Sequence, residues 1–158
     1  MKKLMMIAAM VLMSTGAFAQ EAGMKAVGAT LTDCLRSDSR IAIGAKFQYS
    51  FTDNMRGEFD FKLYPPKSHV LWWNPTVNFH YLFPIIDKLY VYPLAGVGVL
   101  GWTDSDSKES DTMFLANIGA GAEYFITDNI KGLFETYYKI SKKNYSDPLI
   151  SIGAAYIF

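Results

Sequence analysis

The chain has 158 residues, 51% of them hydrophobic and 15% aromatic, and its 15 Lys and Arg balance 15 Asp and Glu for a formal charge of +0. Such an apolar composition excludes a disordered chain, and the charge balance gives no electrostatic reason to bind nucleic acid. Cys34 is the one cysteine, so no internal disulfide framework is available, and it reads as a thiol in a loop.

Lys2 and Lys3 precede an apolar run from Leu4 to Met13, and Ser14, Thr15 and Gly16 lead to Ala17, Phe18 and Ala19. This is the pattern of a secretory signal peptide, residues 1–19, cut after Ala19; the run is well short of the ~20 residues a spanning helix needs. No cysteine follows it closely, which argues against lipoprotein processing. Residues 20–158 then read as a single domain, and losing Lys2 and Lys3 leaves 13 basic against 15 acidic residues, a formal charge of −2.

Beyond the leader, apolar and aromatic segments predict eight strands, near residues 24–31, 40–51, 56–65, 73–83, 89–101, 112–126, 130–141 and 149–158. Three connections are tight: Thr52-Asp53-Asn54, residues 84–88, and Thr127-Asp128-Asn129. The others are longer and more polar, at residues 32–39, 66–71, 104–111 and 142–147. An even strand number with alternating short and long connections predicts an all-β, eight-stranded antiparallel up-and-down transmembrane barrel, with short periplasmic turns and longer external loops.

Residues 43–59 and 118–134 are near copies, each a strand, a Thr-Asp-Asn turn and a second strand. Asn and Asp tolerate left-handed backbone and cap their own turns, so each copy predicts a hairpin. A partial third copy, Ile152-Gly153-Ala154, opens the final segment, which ends on Phe158. Because successive strand residues point to opposite faces, parity separates a polar face from an apolar one. Lys46, Arg56, Glu58, Asp60, Lys62, Glu123, Lys131, Glu135 and Lys139 fall on the polar face. Glycines 44, 119, 121 and 153 share it.

A soluble lipocalin-like barrel would turn the apolar face inward. The glycines, the mixed charges and the clustered aromatics favour the inverted arrangement, with a charge network filling a narrow lumen. Tyr49, Phe51, Tyr81, Phe83, Tyr124, Tyr156 and Phe158 then form a girdle at one interface, and Phe59, Phe61 and Phe134 face lipid. Trp72, Trp73 and Trp102 mark the opposite rim. Strands 1 and 5 are ambiguous in facing, since Tyr90 and Tyr92 share a face with Gly96 and Gly98, opposite Val91, Val97 and Val99.

With the leader, the Ile-Gly-Ala repeats, the Thr-Asp-Asn turns and the terminal Tyr156-Ile157-Phe158, residues 20–158 resemble the small outer-membrane β-barrel domain family, the porin-like, OmpA-like and OmpX-like eight-stranded barrels of Gram-negative bacteria. The resemblance implies residence in the outer membrane among lipid and lipopolysaccharide. It also implies that Ile150, Ile152, Ala154, Tyr156 and Phe158 form the terminal pattern read by the barrel-assembly machinery.

Enzyme chemistry and metal or cofactor binding have little support. His80 falls on the polar face with Asn74, Thr76 and Asn78, and reads as a buried hydrogen-bonded side chain. His69 lies in an external loop. Two separated histidines and Cys34 make a poor zinc set. The loop from Asp104 begins like a calcium loop but has Glu109 where glycine is required and Leu115 where glutamate is required. The expected role is therefore non-enzymatic, structural or surface-interacting, with a filled lumen. A narrow solute or ion pore would need gaps around Gly96, Gly98, Gly119 and Gly121, and an adhesin would depend on the external loops.

Overall fold

A computed structural model describes residues 21–35, 41–67, 69–104, 110–141 and 146–158. The signal-peptide assignment therefore lies outside the described residues, as do residues 36–40, 68, 105–109 and 142–145 of the four external connections. The described residues form nine strands: β1 Lys25–Cys34, β2 Ile41–Ser50, β3 Met55–Lys67, β4 Val70–Tyr81, β5 Phe83–Ile86, β6 Leu89–Asp104, β7 Ser110–Phe125, β8 Ile130–Ser141 and β9 Asp147–Ile157. They form one antiparallel sheet in the order β4-β3-β2-β1-β9-β8-β7-β6-β5, and β4 also pairs with β6. That last pairing closes the sheet. The wall thus has eight strands, with β5 a short extension beyond the end of β4, and closure satisfies the backbone groups that lipid cannot.

Two pairings join strands that are not sequence neighbours, and the first is the seam between the terminal strands. There β1 and β9 pair from Ala26↔Ile157 to Cys34↔Leu149. A second seam, β4 to β6, has Trp73↔Gly101 and Thr76↔Gly98 in register, with Pro75 between them. Proline has no N–H for the ladder. The Asn74 side-chain amide donates instead to the Val99 carbonyl at 2.7 Å.

The strands run further than their composition suggested. Residues 66–71, expected as a long loop, contract to a turn because Lys67 pairs with Val70; His69 takes a left-handed φ of 67° there. Residues 84–88, expected as a turn, are mostly β5, leaving Asp87 and Lys88 to reverse the chain with Lys88 at φ 73°. Cys34 is not in a loop but ends β1, half-buried against interior apolar side chains.

The two Thr-Asp-Asn turns form by a different mechanism from the expected one. Among the described non-glycine residues only His69 and Lys88 have positive φ, so neither turn uses a left-handed Asn or Asp. The threonine hydroxyl does the capping: Thr52 Oγ1 accepts from the N–H groups of Asn54 and Met55, and Thr127 Oγ1 from those of Asn129 and Ile130. Each turn also folds an apolar side chain over an outward glycine. Phe51 covers Gly57, and Ile126 covers Gly132.

Burial alternates along the strands with period two, most cleanly in β2, where Ala42, Gly44, Lys46, Gln48 and Ser50 are buried and their neighbours exposed. The exposed set along the middle of the strands is mostly apolar, including Phe47, Phe59, Phe61, Val77, Ile118, Phe134 and Ile152. The buried set combines charged and polar side chains with apolar ones, the latter running along the β6, β8 and β9 side and gathering at both ends. This is the inverse of a soluble barrel. It also resolves the two ambiguous strands: Tyr90, Tyr92 and Leu94 of β6 and Ala26, Thr30 and Thr32 of β1 point inward.

Candidate functional site

The site is the lumen. Its floor, at the end of the short turns, is apolar: Ala26, Leu82, Tyr90, Phe125 and Ile157 belong to one buried cluster. Its outer end is closed by Ala42, Tyr64, Leu100, Met113 and Leu115, with Trp72 packed against them. Trp72 lies 6.4 Å from Trp102, ring to ring, whereas Trp73 turns to the outer face and covers Gly101. All three tryptophans lie at the predicted rim, and two of them form part of its closure.

Between these layers lie five buried cations, Lys46, Arg56, Lys62, Lys131 and Lys139, against four buried carboxylates, Glu58, Asp60, Glu123 and Glu135. Two groups of contacts organise them. In the first, one oxygen of Glu123 accepts from Arg56 at 2.6 Å and from Lys131 at 3.1 Å. Arg56 turns its remaining donors onto His80 Nδ1, at 3.0 and 3.3 Å. Since Nδ1 accepts, the neutral ring carries its proton on Nε2. His80 then stacks on Tyr92 at 4.6 Å, with the Arg56 guanidinium 4.9 Å from the same Tyr92 ring.

The second group centres on Lys46, whose ammonium reaches Glu58 at 3.1 Å, Asp60 at 3.8 Å and Glu135 across the lumen at 2.5 Å. Gln48 and Asn78 donate to Glu58 at 2.8 and 3.1 Å, and the Tyr92 hydroxyl donates to Glu135 at 2.9 Å. Lys62 pairs with Asp60, and nearer the outer end Lys139 donates to the Tyr64 hydroxyl at 3.1 Å. All nine charged residues singled out in the sequence are therefore inward and buried. Parity also placed Gln48 and Asn78 inward. Tyr92 was missed because β6 carries apolar side chains on both faces. The glycines sharing its face were the available signal, since they make room opposite bulk.

The duplicated hairpins have diverged so as to complement each other. Where the first copy has Lys46 and Glu58, the second has Gly121 and Leu133. A Cβ on Gly121 would lie 2.5 Å from the Tyr92 ring, so the missing side chain is the space Tyr92 fills. Gly121→Ala is expected to destabilise by about 1 to 3 kcal/mol through overpacking, because Tyr92 is held by Glu135 and His80. Equilibrium unfolding in detergent or lipid measures this.

Glu58, His80 and Glu135 place one potential ligand atom each within 4.8 Å of one another. Lys46 already bridges the two carboxylates, and Arg56 lies against the imidazole. A divalent ion there would stand beside two buried cations. The ammonium supplies the positive charge this donor set accommodates.

The outward aromatics gather in pairs at the end of the short turns. Tyr49 and Phe51 pack at 5.3 Å and Tyr81 and Phe83 at 4.9 Å, ring to ring. Tyr124, Tyr156 and Phe158 are exposed at the same end.

The family model described as outer membrane protein β-barrel domain matches residues 5–158. The N-terminal barrel domain of Pseudomonas aeruginosa OprF is similar in fold, with a TM-score of 0.70 and 21% identity, over 88% of this chain and 100% of that one. Neisserial surface protein A is also similar, with a TM-score of 0.70 and 15% identity, over 87% of this chain and 98% of that one. A de novo designed transmembrane β-barrel matches with a TM-score of 0.57 and 16% identity, over 89% of this chain and 99% of that one. These identities carry the fold alone. No protein in a curated set matches by sequence. The closed eight-stranded wall, its apolar exterior and the family match over nearly the whole sequence agree, and the chain belongs to the outer membrane protein β-barrel domain family.

Proposed function

We propose that this is a non-enzymatic integral outer-membrane barrel with a non-conducting, side-chain-filled lumen and a structural or surface-interaction role. The observation that carries the reading is the fate of the glycines a pore would need. A Cβ on Gly96 would meet Asn78 at 2.1 Å, on Gly98 Thr76 at 2.4 Å, on Gly119 Tyr137 at 2.4 Å, and on Gly121 Tyr92 at 2.5 Å. Each glycine accommodates a neighbour's side chain instead of leaving a water path. Apolar layers above and below the charged zone further oppose ion passage.

Residues 1–19 serve in this reading as the export leader. Ile150, Ile152, Ala154, Tyr156 and Phe158, outward on the last strand, serve as the element by which the barrel-assembly machinery docks it. The mature barrel's partners are outer-membrane lipid and lipopolysaccharide.

Purified protein in planar bilayers is expected to give no reproducible single-channel steps under an applied potential, at any salt concentration that preserves the fold. Reproducible steps that scale with salt would overturn the filled-lumen reading in favour of a narrow pore.

A further inference from the structure

The offset of 75 residues that relates the two hairpins also sets Tyr81-Leu82-Phe83 on Tyr156-Ile157-Phe158. The structure repeats the correspondence in its contacts. Asn54 accepts from the Leu82 N–H at 2.7 Å and donates from its side chain to the Leu82 carbonyl at 3.0 Å. Asn129 makes the same pair of bonds to Ile157, at 2.8 and 3.2 Å. Leu82 and Ile157 are both buried in the floor cluster, between flanking aromatics that point outward.

A girdle alone does not account for this. The two other strands running toward the turns end similarly, in Tyr49 and Phe51 and in Tyr124 and Ile126. Their intervening residues are Ser50 and Phe125, whose N–H groups donate to the Met24 and Lys88 carbonyls. The tyrosine, aliphatic, phenylalanine order with the asparagine clamp occurs at β4 and β9. At β4 the strand also stops: its ladder to β6 ends at His80↔Leu94, and pairing resumes at Phe83↔Val91 in β5. β2-β3-β4 and β7-β8-β9 are thus equivalent three-stranded units. Both outer strands of each unit pair outside it: the first with the strand that precedes it, β1 or β6, and the last with the other half of the barrel, β4 with β6 and β9 with β1.

We infer that Tyr81-Leu82-Phe83 at the end of β4 is a second docking element for the assembly machinery, equivalent to Tyr156-Ile157-Phe158. The partner it fits is a protein offering a strand edge to β4 before β6 pairs with it, and apolar pockets to the alternate aromatic side chains. The inference rests on the proposal that the last strand docks there.

The test compares insertion of the full mature chain into vesicles carrying purified barrel-assembly machinery with unassisted refolding into short-chain phosphatidylcholine vesicles, both read by heat-modifiable gel mobility. Phe158→Ala and the double variant Tyr81→Ala/Phe83→Ala are each expected to slow assisted insertion about ten-fold, the scale of one lost aromatic anchor. Neither should slow unassisted refolding comparably, and Tyr49→Ala/Phe51→Ala should slow neither reaction. If Phe158→Ala inserts at the wild-type rate, the terminal docking reading fails. If Phe158→Ala is slow while the Tyr81/Phe83 double variant matches wild type, or slows both reactions alike, the second element alone fails. A peptide of residues 74–83 gives a readout independent of variant folding. It should compete with assisted insertion of the wild-type chain as a peptide of residues 149–158 does, and a peptide of residues 42–51 should not; lack of competition by the 74–83 peptide, with competition by 149–158, would overturn the inference.

Discussion

Glu123→Ala is expected to lower the unfolding free energy by about 3 to 5 kcal/mol, the scale on which removing one partner strands a buried charge. A single oxygen of Glu123 neutralises both Arg56 and Lys131, and all three side chains are fully buried. Its removal leaves two cations facing each other with no water to screen them. Glu123→Gln retains an acceptor oxygen and should cost less. Replacing Arg56, Glu123 and Lys131 together by methionine or leucine should be neutral or stabilising by about 1 to 4 kcal/mol, because the desolvation of three charges disappears with them. Reversible urea unfolding in lipid vesicles, followed by tryptophan fluorescence, measures all three. A loss below about 1 kcal/mol for Glu123→Ala would equal that of a solvent-exposed pair, and would mean that water reaches the middle of the lumen. The same result would reopen the pore reading.

The form of the network explains why charges are tolerated here. Two of the carboxylates are held by neutral donors as well as by an ammonium: Glu58 by Gln48 and Asn78, Glu135 by the Tyr92 hydroxyl. Lys46 and Glu135 lie on strands far apart in sequence, so their contact spans the lumen and fixes one side of the wall against the other. A register slip of one residue would turn these charges into lipid. The ion pairs therefore specify strand alignment even where they add little net stability.

How far the fold could be read from sequence depended on contrast between the two faces of each strand. β2, β3 and β8 alternate charge with aromatic or aliphatic residues, so Lys46, Arg56, Glu58, Asp60, Lys131 and Glu135 could be placed by parity. β1 and β6 could not. β1 carries small residues on both faces, Ala26 and Gly28 against Val27 and Ala29, and β6 is apolar inward as well as outward because it contributes Tyr90, Leu94 and Leu100 to the closing layers. Strand ends differ from expectation where proline and polar residues continue an extended strand, as at Pro66 and Pro84. The partners within the lumen were illegible for another reason. Parity says that Glu135 is inside, but which cation it meets depends on stagger between β2 and β8, and no local pattern encodes that distance.

The outward face makes the complementary prediction. Phe134 pairs with Ala122 on one side and Ile152 on the other, and lies midway along β8 between Ile130 near the turn and Tyr138 toward the outer rim. It is 49% exposed, as a residue whose neighbours are lipid chains would be. Phe134→Arg should destabilise the barrel by roughly 2 to 4 kcal/mol, the scale for a cation at the bilayer midplane, while the same change nearer the interface should cost about 0 to 1 kcal/mol. Tyr156→Arg, in the girdle, supplies that comparison. Folding of both variants into lipid vesicles, with unfolding midpoints and slopes taken together, separates depth from loss of aromatic packing. Equal penalties at the two depths would place Phe134 outside the hydrocarbon. A Phe134→Arg barrel as stable as wild type would mean that this face meets water, and the inside-out reading of the strands would fall with it.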